Sequence, residues 1–265
     1  MTETKKSTQG SRVSATDLID TVIALAIIVC AWQAVFWLKL YPPYLFPSTL
    51  TTFRTFVRLI QDGLLPVAVY TTGYRLAAGF SIVMVLGVTV GVGMVKFKRF
   101  GRTMASFSLG MQSFPAIAWV PFAILIVGLN DYGIIFVIIM SSTFSVMLST
   151  YSGLRNIPPI YMKAARNMGA RRFSLLTGVM LPAALPSLIT GMRQAWSFSW
   201  HAVIGAEMLM ASVGLGAILY FGSEFVRMDQ IISSMIAIFV IGLVVDRLIF
   251  FRLEQRVRSK WGLAS

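Results

Sequence analysis

Few residues in this chain could carry out chemistry, and those few lie inside or beside long apolar runs. His201 is the only histidine and Cys30 the only cysteine. The sequence has no His, Asp and Glu set typical of a metal or hydrolytic site, and no G-x-x-x-x-G-K-[S/T] run that would hold the phosphates of ATP. We therefore do not expect this chain to be an enzyme or to hold a cofactor itself.

The charged residues of one apolar run are the best candidates for function. Arg193, Trp200 and Glu207 are seven residues apart and so share one helical stripe. A charge within a membrane span is costly and usually faces a cavity or a partner. The stripe predicts a pathway-lining face on which Arg193 contacts an anion. The alternatives for Arg193 are a structural ion pair, or a side chain that reaches the cytoplasmic surface.

The chemistry of the neighbouring residues indicates their roles. A structural or gating role is favoured for Glu207, because a carboxylate repels an anion. Trp196 borders the stripe, and His201, next to Trp200, is expected to pack through a hydrogen bond rather than bind a ligand. Arg75 is expected to reach the outer surface of the membrane.

The composition predicts an all-α membrane protein. Of the 265 residues 57% are apolar and 12% are charged, about half the ~25% of globular proteins. The mean hydropathy is +0.77. The net charge of +13 could suggest nucleic acid as a partner. The charges lie in short clusters between apolar runs, however, which is the membrane pattern.

The chain divides into a cytoplasmic tail, residues 1–17, and a single polytopic membrane domain, residues 18–260. About 20 apolar residues cross a bilayer core. The sequence predicts about six such spans, at residues 18–38, 68–95, 104–127, 134–151, 184–209 and 231–251. Pro115 and Pro121 predict a bend in the third span. Asp246 and Arg247 are expected to form a salt bridge at the inner end of the sixth.

An amphipathic helix is predicted between the first two spans, from Ser48 onward. Its apolar residues recur at helical spacing, at Leu50, Phe53, Phe56, Val57 and Ile60. The pattern fits a helix in the outer membrane interface, or a loop helix packed on other spans.

The distribution of basic residues predicts the orientation. With six spans, both termini share one side with the loops at 96–102 and 155–172, and that side holds 17 of the 23 Lys and Arg residues. Because basic loops remain cytoplasmic, we expect both termini to be cytoplasmic.

The basic segment 155–182 interrupts the apolar runs. Pro158 and Pro159 favour the first turn of a short helix over residues 160–168, and Gly169 is expected to end it in the left-handed conformation. By itself this segment would be an ordinary positive loop. Its sequence K-A-A-x-x-x-G, followed by V-M-L-P, resembles the E-A-A-x-x-x-G loop of ABC importer permeases. The matching positions are Ala164, Ala165, Gly169 and Pro182, whereas Lys163 replaces the glutamate.

The resemblance extends over roughly residues 47–261. Stretches such as YRLAAGF, QSFPAIAWVPFAILIVGL and GAEMLMASVGLG are similar to the nitrate, sulfonate, taurine and bicarbonate branch of binding-protein-dependent permeases. The resemblance implies the type I ABC importer permease fold, in the prokaryotic inner membrane. It also implies a coupling helix whose residues Lys163, Ala164, Ala165, Gly169, Arg171 and Pro182 contact or support an ATPase.

The partners follow from the same resemblance. They are two ATP-binding subunits, which carry ATP and Mg, a second permease copy that makes a homodimer, and an extracytoplasmic solute-binding protein. The implied solute is a small anion; a pyrimidine or aromatic solute is the alternative within the family. From the residues alone, a secondary transporter is the main alternative, although its internal repeat is not evident here.

Overall fold

The computed structural model describes residues 15–260, and every regular element within that range is helical. The predicted tail therefore lies outside the described residues except for its last positions, which begin the first helix. The twelve α-helices are α1 (Ala15–Trp37), α2 (Thr49–Gln61), α3 (Leu64–Lys96), α4 (Lys98–Gln112), α5 (Val120–Ile126), α6 (Asp131–Arg155), α7 (Pro159–Asn167), α8 (Arg172–Leu175), α9 (Leu181–Leu209), α10 (Leu215–Glu224), α11 (Met228–Val245) and α12 (Arg252–Lys260).

Two π-helical segments join neighbouring helices into longer ones. Leu176–Met180 connects α8 to α9, and Asp246–Phe251 connects α11 to α12. Four long helices are apolar enough to cross a membrane: Leu64–Lys96, Asp131–Arg155, Phe173–Leu209 and Met228–Val257. The bent pair α4 and α5 can supply a fifth span. The predicted count of about six is reached only with α1, whose apolar part Ile23–Trp37 is shorter than a full span.

The core is a three-helix unit in which α6 packs between α3 and α9. Glycines on α3 allow the close approach. A Cβ at Gly79 would lie 2.8 Å from Cγ2 of Ile138, and one at Gly87 would lie 2.5 Å from Cβ of Val146. Small residues bring membrane helices together in this way because dispersion contacts, rather than water exclusion, drive their association.

The third predicted span is broken rather than gently bent. α4 and α5 are inclined by 101° to each other. Between them, Pro115 has an extended backbone and precedes a 3₁₀ turn, Ala116–Trp119. A proline disfavours helical geometry in the preceding residue and lacks an N–H for the helical ladder, so the chain turns sharply here.

The amphipathic helix after Ser48 forms as predicted, with the Ser48 hydroxyl accepting the N–H of Thr51. Its packed face combines the core residue Leu59 with the buried Thr52 and Thr55. Thr55 donates to Asp229 of α11 at 2.7 Å, and Ser233 donates to the Thr52 carbonyl. The apolar residues Leu50, Phe53 and Ile60 point outward. The helix thus packs on another span and still presents an apolar outer face, which combines both sequence-based alternatives.

Candidate functional site

The helix α7 forms where the proline pair predicts it. Pro158 precedes the helix and Pro159 occupies its first position, where the missing N–H would be unpaired in any case. Gly169 follows with φ +84°, so the predicted left-handed stop is confirmed. Ala170 then donates its N–H to the Ala165 carbonyl at 2.9 Å, which closes the helix end.

Gly169 is required by its backbone angle alone. A Cβ at this position would meet no heavy atom within 4 Å. A side chain would therefore fit in space but would strain the left-handed backbone.

The matched alanines of the KAA run have different surroundings. Ala165 is buried against the protein, whereas Lys163 and Ala164 are exposed. Within residues 15–260, the Lys163 ammonium has no carboxylate partner. The exposed face of α7 is thus free to contact another molecule, and its motif position carries a positive charge.

The basic composition of segment 155–182 suggested a loop. Most of the segment is helical instead. The helical chain resumes at Arg172, after a turn in which Ser174 Oγ accepts the N–H of Arg171 at 2.9 Å. From Phe173 to Leu209 it runs as one 37-residue helix, roughly 55 Å long. The π segment Leu176–Met180 immediately precedes Pro182, whose missing N–H disturbs the helical ladder. Only a short turn therefore separates α7 from this long helix.

Arg193 forms the structural ion pair that the sequence left as an alternative. Its Nε and Nη2 donate to the two oxygens of Asp246 at 2.7 and 2.6 Å, and Nη1 lies 3.5 Å from Glu254. Asp246 thus pairs with Arg193, and the predicted pair with Arg247 is wrong. These contacts join α9 to the segment between α11 and α12. The pair is half-exposed, with 45% of the Arg193 side chain accessible.

Trp196, which borders the predicted stripe, packs against Phe250 of the segment that also holds Asp246. Trp196 and Trp200 stack at 6.2 Å between ring centroids, and Trp196 also packs edge-on against Phe80 of α3. Trp200 borders an apolar groove of about 460 Å³ between α9, α10 and α11. His201 is exposed and makes no side-chain hydrogen bond within residues 15–260, so the hydrogen-bonded packing role expected for it is wrong.

A second, polar face of α9 was missed by the sequence reading. Four exposed polar side chains recur along it at steps of four, three and four residues: Thr190, Gln194, Ser197 and His201. In the described part of the chain, Gln194, Ser197 and His201 make no side-chain hydrogen bond. Toward the C-terminal end of α9 this face meets Ile117 of the broken helix pair, whose Cδ1 would lie 3.7 Å from a Cβ at Gly205. The spacing of these polar residues is visible in the sequence. The seven-residue spacing of Arg193, Trp200 and Glu207 is a stronger pattern and drew attention to the other face of α9.

Arg75 is buried, and the prediction that it reaches the surface is wrong. Only 3% of its side chain is exposed. Its five N–H donors have five short contacts. Nε and Nη2 donate to Asp131, Nη1 donates to Glu207 at 2.8 Å and to the Val213 carbonyl, and Nη2 also donates to Ser212. A fully engaged guanidinium has no donor left for a solute.

Glu207 is fully buried within the same cluster. Its carboxylate accepts from Thr72 of α3, from Arg75 and from the N–H of Gly216 at 3.0 Å. A Cβ at Gly214 would overlap the carboxylate, so the SVGLG turn approaches it closely only because residue 214 has no side chain. Glu207 thus has the structural environment expected from the sequence. We call Thr72, Arg75, Asp131, Glu207 and Ser212 the Arg75 polar cluster, which joins α3, α6, α9 and the turn before α10.

The unpaired polar face of α9 is the feature of this arrangement that suits movement of a solute. Among residues 15–260 no group of three His, Cys, Asp or Glu side chains could hold a metal ion. The long helix α9 carries ion pairs on one side and an unpaired polar face on another. Polar groups exposed to lipid would lack partners, so such a face fits a water-filled path or a protein interface.

Comparisons with known proteins agree with the sequence resemblance. A putative ABC transporter permease of Methanocaldococcus jannaschii is 32% identical over 65% of this chain and 65% of its own length. The bicarbonate transport permease CmpB of Synechococcus elongatus is 32% identical over 66% of this chain and 63% of its own. The putative aliphatic sulfonate permease SsuC of Bacillus subtilis is 28% identical over 89% and 85%. The matches to the first two thus span less than two thirds of those relatives.

The fold also has a solved counterpart. An inward-facing crystal structure of the MetNI methionine ABC transporter superposes with a TM-score of 0.61 over 75% of this chain and 97% of the matched chain, at 21% identity. This match supports the predicted type I permease fold. Residues 83–259, well over half of the chain, match the family described as the binding-protein-dependent transport system inner membrane component, and the chain belongs to that family.

Proposed function

We propose that this chain is the transmembrane subunit of an ATP-driven importer. The observation that carries the proposal is the continuity between α7 and α9. An exposed short helix leads through the Gly169 turn into one 37-residue helix that bears an unpaired polar face. A displacement of α7 by an ATPase would pass directly to the helix that lines the path.

The solute is proposed to be a small anion of the bicarbonate, nitrate, sulfonate or taurine class. Relatives named for bicarbonate, nitrate and aliphatic sulfonates support this class. The polar face of α9 offers hydrogen-bond donors without a carboxylate, which suits an anion in transit. Arg193 stays a candidate contact only in a conformation that releases Asp246.

Two copies of the chain are proposed to form the path together. A single copy leaves the polar face of α9 open, and a second copy would enclose it away from lipid. A solute-binding protein would deliver the solute at the outer side. Two ATP-binding subunits would bind ATP and Mg, and each would dock on the exposed face of one α7.

The orientation is proposed from charge. The clusters at 96–102 and 155–172, with both termini, would be cytoplasmic because they belong to the side that holds 17 of the 23 basic residues. This places α7 on the side where ATP is available.

The test is reconstitution of the full chain in vesicles with its ATPase and solute-binding protein. Uptake of labelled bicarbonate, nitrate and taurine should require internal ATP and external binding protein. It should not change when ion gradients are collapsed. Uptake that continues without ATP and stops with the gradients would favour a secondary transporter, and uptake of a pyrimidine alone would refute the anion class.

A further inference from the structure

A cavity of about 680 Å³ lies behind the coupling helix, between α3, α4, α6 and α7. This volume is within the ~300–1,000 Å³ typical of small-molecule sites. Its floor is apolar and reaches fully buried side chains, including Met94 and Leu154. The cavity is therefore continuous with the protein core rather than a shallow surface depression.

The walls of the cavity are basic. Lys98, Arg102, Arg155 and Arg166 line it, and no Asp or Glu does. In the described part of the chain none of these four has a carboxylate partner. Asp246 and Glu254, on the α11–α12 segment, bond to Arg193 instead. The cavity thus concentrates uncompensated positive charge.

One of these cations is held in place by the wall itself. Arg155 Nη1 donates to the Tyr151 hydroxyl at 3.1 Å, and its guanidinium lies 5.8 Å from the centre of the Tyr151 ring. Tyr151 is 7% exposed and also lines the cavity. Because one N–H group of Arg155 holds the guanidinium in place, its other N–H groups remain available for phosphate oxygens.

The position of the cavity indicates which class of ligand it binds. It lies at the C-terminal ends of the apolar spans α3 and α6, where a chain that leaves the bilayer core would reach the lipid headgroups. Basic pockets between membrane helices on the cytoplasmic side favour anionic headgroups, and apolar walls accept the upper part of an acyl chain. We propose that this cavity binds the phosphate headgroup of an anionic phospholipid. The proposal uses the cytoplasmic orientation given above, but lipid binding can be measured without transport.

The site is separate from the exposed face of α7. Pro159, Met162 and Arg166 face the cavity, whereas Ile160 and Lys163 do not line it and are exposed. An ATPase on the exposed face would leave the cavity open to lipid. A bound lipid would support α7 from behind, between its helix and the core.

The test uses the full chain purified with its ATPase, in nanodiscs of phosphatidylcholine with or without phosphatidylglycerol. Native mass spectrometry after mild delipidation counts the retained phosphatidylglycerol, and titration gives its affinity. The variant is Arg102→Gln with Arg155→Gln. The matched control is Lys96→Gln with Arg99→Gln, which removes the same charge at the same membrane level outside the cavity.

Each basic residue near an anionic membrane surface contributes roughly fivefold to binding, so the cavity variant should bind phosphatidylglycerol about 25-fold more weakly. The control should keep the tightly retained lipid. A second variant, Met162→Trp, fills the cavity without changing charge and should also lose it. Equal loss in the cavity and control variants, or unchanged retention in both cavity variants, would overturn the proposal.

Two further outcomes separate the possible ligands. Inorganic phosphate should not raise the thermal stability of the complex in phosphatidylcholine discs, whereas phosphatidylglycerol should. Protection by inorganic phosphate would overturn the lipid assignment in favour of a soluble anion. If the cavity variant keeps its lipid but loses the ATPase, the cations contact the ATPase and the proposal is wrong.

Discussion

Glu207 and Arg75 form a buried ion pair at 2.8 Å, between residues that are 132 positions apart. Glu207 is fully buried and Arg75 is 3% exposed, so neither charge can be screened by water. The pair is extended by Thr72 and by Asp131, which is half-exposed. It therefore joins the N-terminal parts of α3 and α6 to the C-terminal end of α9.

Removing one member of this pair should destabilise the protein. Glu207→Ala would leave the Arg75 charge partly unpaired, and breaking a buried pair costs about 3–5 kcal/mol. We expect a clear drop in the thermal midpoint of the purified complex. Glu224→Ala removes an exposed carboxylate on the same side and should have little effect. Equal thermal midpoints for both variants would show that the Arg75 polar cluster does not stabilise the helix packing.

Gly169 should be needed for coupling because of its backbone angle. Replacement by valine forces an L-residue into the left-handed region, at a cost of about 1–2 kcal/mol or more. We expect Gly169→Val to lose substrate-stimulated ATP hydrolysis, while Gly169→Asn, which tolerates this region, keeps most of it. Gly178→Val is the matched control, since Gly178 also has open space but lies in helical backbone. Full coupling in Gly169→Val would remove this turn from the mechanism.

The polar face of α9 should matter for transport and not for folding. Gln194→Leu and His201→Leu each remove a hydrogen-bonding group that faces the proposed path. A hydrogen bond to a charged solute contributes about 1.5–3 kcal/mol, so uptake should fall about tenfold or more. Basal ATP hydrolysis and complex assembly should be unchanged.

Thr89→Val tests whether any exposed polar residue of a span would give this result. Thr89 is equally exposed, on α3, but its hydroxyl bonds the Val85 carbonyl of its own helix. Uptake in this variant should match the parent. A comparable loss in Thr89→Val would mean that the α9 face has no special role.

The Arg193–Asp246 pair can be separated from a solute contact by comparing both partners. Half-exposed ion pairs are worth about 0–1 kcal/mol, so Arg193→Gln should barely change stability. If the pair is only structural, Arg193→Gln and Asp246→Asn should alter uptake equally and non-additively. A large loss confined to Arg193→Gln would instead assign Arg193 to the path. Uptake and thermal stability of the two single variants and the double variant decide between these outcomes.

The orientation can be tested by labelling with a membrane-impermeant thiol reagent. In a background with Cys30→Ser, single cysteines at Thr103 and Arg155 should be protected in intact cells, whereas one at Ser223 should react. All three positions are exposed on the protein, so accessibility should report the side of the membrane. Ser223 is chosen over the adjacent Gly222, whose Cβ would crowd Ile231. Labelling of Arg155→Cys from outside would contradict the proposed orientation.

The sequence by itself determined the features that depend on local pattern. Long apolar runs gave the membrane class, the proline pair and Gly169 gave the start and end of α7, and Ser48 gave the start of α2. Each follows from preferences within a few neighbouring residues. The spacing of the KAARNMG run also identified the family, which the match over residues 83–259 confirms.

Only the tertiary structure decided which charges meet. Arg75 and Glu207, or Arg193 and Asp246, lie on separate helices, and their pairing depends on how those helices pack. A heptad stripe fixes a direction on one helix but not the neighbour in that direction. Arg193, Trp200 and Glu207 therefore share a stripe and have three different surroundings, while Gln194 and Ser197 are left exposed by the packing of residues 15–260. Helix packing is a non-local property, and the roles of these residues follow from it.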